Sequence, residues 1–101
     1  MAFNIQFISH PSEGVLQILA QRIGAAFKNQ LEIIDTSAVG LVQGKLVDMI
    51  AAADVAEKAA QVRVYDLKGT CPQHLTMIGV FGSVAAVKAA LEAIEGDEGL
   101  S

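Results

Sequence analysis

Ala38-Val39-Gly40-Leu41-Val42 runs through Gly44-Lys45-Leu46 to Ala52-Ala53-Asp54 and, three residues later, to Lys58-Ala59-Ala60 and Val62. Its first five residues have the branched, apolar character that suits a pleated, half-buried surface, and they predict a strand. Leu31 to Ile34 just upstream has the same character but is cut off by Asp35-Thr36-Ser37, so the region is expected to form one bulged strand or two short ones. Beyond it, Leu46, Met49, Ala53, Ala56 and Ala60 mark the inner face of a helix. Asp54 and Lys58 stand four apart on another face, where they form a surface ion pair.

Upstream, Phe3, Ile5 and Phe7 alternate with Asn4 and Gln6, the period of a half-buried strand. Ser9-His10-Pro11-Ser12-Glu13 then starts a helix, with proline near the first turn and an acid at the positive end of the dipole. Val15 and Leu16, Leu19, Ile23, and Ala26 and Phe27 form its buried stripe. Downstream, Val62 to Leu67 and Leu75 to Phe81 are strands. Lys68-Gly69-Thr70-Cys71-Pro72-Gln73-His74 joins them, too long for a two-residue hairpin turn. Ser83 caps a last helix, lined by Val84, Val87, Leu91 and Ile94 and expected to stop at Gly96. The order is β-α-β-α-β-loop-β-α. It predicts an α+β domain in which helices cover one face of a small antiparallel sheet.

Composition narrows the function. The chain has 101 residues, 52% of them hydrophobic. A domain of this size buries roughly two-thirds of its unfolded surface, which leaves no deep enclosed cleft. Sixteen alanines and nine glycines against five aromatics describe thin helices packed closely on a sheet, with apolar surface left for neighbouring subunits. Seven Lys and Arg against eleven Asp and Glu, a net charge of −4, argue against nucleic acid. No apolar run reaches the length of a membrane span, and Met1 to Ser9 lacks the pattern of a secretory signal, so a lipid membrane is not expected as a partner and the expected location is the cytosol. The one cysteine, Cys71, suits a reducing compartment.

The segments from Ala38 to Val62, together with Gly82-Ser83-Val84-Ala85-Ala86-Val87-Lys88-Ala89-Ala90, resemble the shell domain of bacterial microcompartments, over about Ala38 to Ile94. In the ordinary shell domain the strand at Ala38 opens the fold. Here a strand, a His10-Pro11 turn and a helix precede it, the order of the circularly permuted shell proteins. The resemblance implies a single permuted domain over 1–96, with 97–101 a frayed acidic tail. It also implies a homohexamer that tiles with other shell proteins in the shell of a cytoplasmic microcompartment. The N-terminal extension that builds a small barrel over the sixfold axis in some permuted shell proteins has no counterpart here, so a capped pore is not expected.

The loop Gly69-Thr70-Cys71-Pro72-Gln73-His74 resembles that of shell proteins from glycyl-radical-enzyme propanediol compartments. That likeness implies an iron-sulfur cluster at the central pore. A cubane needs about four thiolates and one chain supplies one, so a 4Fe-4S cluster would be shared by Cys71 residues of several subunits around the axis. Pro72 stiffens the loop beside the sulfur and Gly69 allows the turn. Thr70 and backbone amides are candidates to donate to the cluster sulfurs. The bland alternative for Cys71 is a small residue in a connecting loop. His74 is a rim residue, a further ligand or a donor to the site, and His10 is a helix-start residue. Lys68 lines the pore rim or is simply solvated. The resemblance places Lys58 at the edge between hexamers. Lys88 is read as solvated.

The leading reading is therefore a structural, non-enzymatic shell tile whose pore cluster relays electrons across the shell or serves an encapsulated enzyme or redox partner. A second is a metal-free hexamer whose pore, lined by Lys68, Thr70, Gln73 and His74, passes metabolites. A third is a regulatory domain of ferredoxin-like type that binds a metabolite between subunits. The weakest is an enzyme with Cys71 as nucleophile and His74 as base, for which no orienting third group is evident.

Overall fold

The computed structural model describes residues 3–30, 32–68 and 75–98. Along the chain these form β1 (Asn4–Ser9), α1 (Glu13–Ile23), α2 (Ala25–Lys28), β2 (Ala38–Lys45), α3 (Leu46–Ala59), β3 (Arg63–Leu67), β4 (Leu75–Gly82) and α4 (Val84–Glu98). The strands make one antiparallel sheet in the order β1-β2-β4-β3, so β1 and β3 are its edges. The molecule is a slab with principal extents of 36 × 32 × 18 Å.

Local chemistry sets several boundaries. His10 takes a positive φ of 52° and its N–H donates to the Ser37 carbonyl at 2.7 Å, which turns the chain out of β1. Ser12 caps α1 by accepting from the Val15 N–H, and Ser83 caps α4 by accepting from the Ala86 N–H at 3.1 Å. Gly24, at φ 98°, divides the expected single helix into α1 and α2; a residue with a Cβ would be strained there.

Three further expectations about element bounds and inner faces are corrected. Residues 32–34 form no strand: Glu32, Ile33 and Ile34 turn back on α2, with the Ile33 and Ile34 amides donating to the Gln30 carbonyl, while Leu31 lies outside the described residues. The sheet resumes only at Ala38, after the Asp35 carboxylate has accepted from the Ser37 N–H and hydroxyl. The last helix passes through Gly96 to Glu98, because Gly96 does not take the left-handed conformation that ends a helix. The inner face of α3 is Met49, Ala52 and Ala56, whereas Leu46 is 55% exposed and Ala53 and Ala60 are half-buried.

The helices do not all lie on one face. Ala38, Val42, Ile78 and Val80 meet Met49, Ala52 and Ala56 of α3 and Val87, Ala90, Leu91 and Ile94 of α4. On the opposite face Val39, Leu67 and Phe81 meet Leu19, Ala20 and Ile23 of α1, Phe27 of α2 and Ile34. Alternate side chains of a strand point to opposite faces, and in β2 and β4 both sets are apolar, so both faces need cover. Gly40 permits the close approach of α4: a Cβ there would lie 2.8 Å from Leu91 Cδ2.

Candidate functional site

The β3–β4 connection begins at Lys68, whose N–H donates to the Arg22 carbonyl at 2.9 Å, and ends at Leu75, the register partner of Lys45. The Lys68 side chain is exposed. Gly69, Thr70, Cys71, Pro72, Gln73 and His74 lie outside the described residues. The two stems of the loop leave the sheet at the same end as Lys45 and the start of α3. His10 is at the opposite end of the sheet, beside Ser37. Among the described residues there is no group of three or more His, Cys, Asp and Glu side chains able to hold a metal ion, and no helix is long and apolar enough to cross a membrane.

Lys58 is at the far end of α3 from the loop, roughly 18 Å along the axis from Leu46 at 1.5 Å per residue. Its Nζ lies 2.8 Å from Asp54 Oδ2, with both side chains exposed. The hydrogen bond to Asp54, and then its negative charge, hold the Lys58 ammonium above its usual range. The pair leaves both groups facing solvent, and an exposed pair of this kind contributes little to the fold itself.

The sequence reading missed the outer face of α3. Leu46, Val47 and Ile50 are 55%, 72% and 65% exposed, a cluster of large apolar side chains on the first turns of the helix. Beside them, between α3 and the face of β3 and β4, runs a groove of about 400 Å³ with Ile50, Ala53, Val64 and Ile78 in its lining and Glu57 and Asp66 among its polar residues. The signal was present: Leu46-Val47-Asp48-Met49-Ile50 has apolar residues at adjacent positions as well as at three and four, more than one inward stripe can accommodate.

A comparison with family models matches residues 38–98 to the BMC domain. Among solved structures, the ligand-free GrpU microcompartment shell protein from Clostridiales bacterium 1_7_47FAA is 31% identical, over 95% of this chain and 92% of that chain, with a TM-score of 0.72. The ligand-free GrpU shell protein from Pectobacterium wasabiae is 32% identical over 91% of this chain and 99% of that chain, with a TM-score of 0.74. The fused permuted hexameric shell protein MSM0275 from the RMM microcompartment shares the fold at 22% identity and a TM-score of 0.69, over 94% of this chain and 44% of that chain. A comparison with curated proteins returned no match. With β1, α1 and α2 standing ahead of the matched region and β1 hydrogen-bonded to its first strand, the chain belongs to the BMC domain family of bacterial microcompartment shell proteins.

Proposed function

We propose that the protein is a permuted, hexameric shell tile of a glycyl-radical, propanediol-type microcompartment, with six Cys71 loops meeting at the sixfold axis to hold an iron-sulfur cluster. The observation that carries the tile is the family match, extended over nearly the whole chain by the two GrpU shell proteins. The physical form agrees with it. A slab 18 Å thick suits a sheet-like wall, and the exposed apolar face of α3 beside the edge strand β3 is a surface for a neighbouring subunit to cover. Its role is structural and not catalytic.

For the cluster, the donor chemistry sets the requirement. The chain has one cysteine, so the thiolates would have to come from Cys71 of several subunits, and a ring of six with its loops at the axis would supply more than the roughly four that a cubane needs. Bound there, the cluster would supply one-electron chemistry, for electron transfer across the shell. Pro72 and Gly69 would shape the loop around the sulfur, and Thr70 would be a donor toward the site. Lys58, one helix length from the loop stems, fits a place at the hexamer edge.

Anaerobic purification with iron, sulfide and oligomer size measured together tests both parts. A ring of six with about four irons per ring, lost in Cys71→Ser, is expected. Unchanged iron in Cys71→Ser would overturn the ligand assignment. An iron-free hexamer would overturn the cluster and assign the pore to small metabolites. A dimer or trimer would overturn the tile.

A further inference from the structure

On the sheet face that α1 covers only in part, a groove of about 410 Å³ opens between α1 and strands β2, β3 and β4. Its apolar lining includes Leu41 and Met77, and Ile18, 59% exposed, stands on its α1 side. Its charged lining residues are both cations, Arg22 from α1 and Lys68 from the end of β3, held together by the bond from the Lys68 N–H to the Arg22 carbonyl. No acid is among its described lining residues, in a chain whose net charge is −4. Asp66, next to Leu67 in β3, accepts instead from Thr76 and lines the groove on the α3 side. Gln43 also lines the site, and because its carbonyl oxygen accepts from Asn4, its NH₂ is the end left to donate.

We propose that this groove is a binding site for a small amphipathic anion, a phosphate or carboxylate carrying a short aliphatic chain. The guanidinium of Arg22 offers paired donors that match such a head group, and Lys68 adds a second positive charge. Leu41, Met77 and Ile18 shelter the chain from water. The volume is that of a small-molecule site.

Calorimetric titration of the purified oligomer with hexyl phosphate, inorganic phosphate and hexanol is the test, read alongside ¹³C-methyl spectra of the methionines. Hexyl phosphate should bind at least about tenfold more tightly than either half alone, moving the Met77 methyl and leaving Met49, buried on the other sheet face, in place. Arg22→Gln and Lys68→Gln should each weaken it roughly tenfold, as loss of a charge-assisted hydrogen bond does. Lys28→Gln, an exposed cation on α2 outside the groove, should change nothing. Equal affinity for hexyl phosphate and inorganic phosphate would overturn the proposal. So would unchanged binding in Arg22→Gln, or a silent Met77 methyl; the last would mean that a subunit covers the groove in the oligomer.

Discussion

The two faces of the sheet are packed on different principles. Under α3 and α4 the buried contact is aliphatic, with Ala38, Ala52, Ala56 and Ala90 set among larger side chains such as Met49, Ile78 and Ile94, and Gly40 leaves room for Leu91. Under α1 and α2 it is made by rings. Phe27 packs against Phe81 at a centroid distance of 4.8 Å and edge-on to Tyr65 at 5.3 Å, and Tyr65 and Phe81 meet at 5.7 Å. The first face brings two helices close to the sheet, which keeps the slab thin. The second anchors a short and interrupted pair of helices with a few large side chains. A face whose closest approaches are made at alanine and glycine should be sensitive to added atoms there, and an aromatic face to lost ones.

The largest effect is expected from Phe27→Ala. This ring is fully buried and is the meeting point of the cluster, so its removal should cost about 3–5 kcal/mol in urea unfolding. A loss under about 1 kcal/mol would show that α2 collapses into the space and that the faces differ less than their packing suggests. On the other face, Gly40→Ala places a methyl group against Leu91 and should cost about 1–3 kcal/mol. Shortening the neighbour in Leu91→Val should relieve part of that cost, which a double-mutant cycle measures as non-additivity. Simple additivity would remove the steric explanation.

Smaller effects sharpen the same contrast. Ser83→Ala removes the cap of α4 and should cost about 1 kcal/mol, measured by thermal unfolding. Tyr65→Phe keeps the ring in the cluster but removes its bond to Gln30 Oε1, which also accepts from Arg63 at 3.2 Å, so about 0.5–1.5 kcal/mol is expected. A larger loss would mean that the aromatic face depends on its polar tie to the turn after α2 more than on its rings. The smallest effect belongs to Asp35, whose side chain accepts first from the Ser37 hydroxyl and then from its N–H, which holds its carboxyl below the usual aspartate range. A lowered folded-state value gives stability that is present above the ordinary pKa and lost as pH falls through the folded one, so the difference between wild type and Ser37→Ala should vanish in strong acid. A difference that instead grows as the pH falls would contradict this sign.

Much of the fold was legible because its signals are local. The alternation of Phe3, Ile5 and Phe7, the caps Ser12 and Ser83 and the helical spacing of Val84, Val87, Leu91 and Ile94 each act within a few residues. The misreadings share one cause. Leu31 to Ile34 has the composition of a strand, but Ile34 is consumed by the aromatic core while Ile33 is left 71% exposed, an arrangement set by α2 and the sheet. Leu46 falls at the spacing of a buried residue, yet the approach of α3 to β4 and α4 selects Met49, Ala52 and Ala56 instead. Of the candidate site, Lys58 and its Asp54 partner were visible from spacing alone. The groove at Arg22 and Lys68 was not, because its residues come from four elements.

The sequence by itself determined most of the elements, their order and the family, since strand and helix periods, capping residues and a shell-domain segment can all be read without knowing what touches what. Only the tertiary structure decided that β4 inserts between β2 and β3, that α1 and α2 take the face opposite α3 and α4, and that Leu46, Val47 and Ile50 stay outside. The physical reason is that a period states that one side of a segment is apolar, whereas the surface it meets depends on every other segment competing for the same sheet.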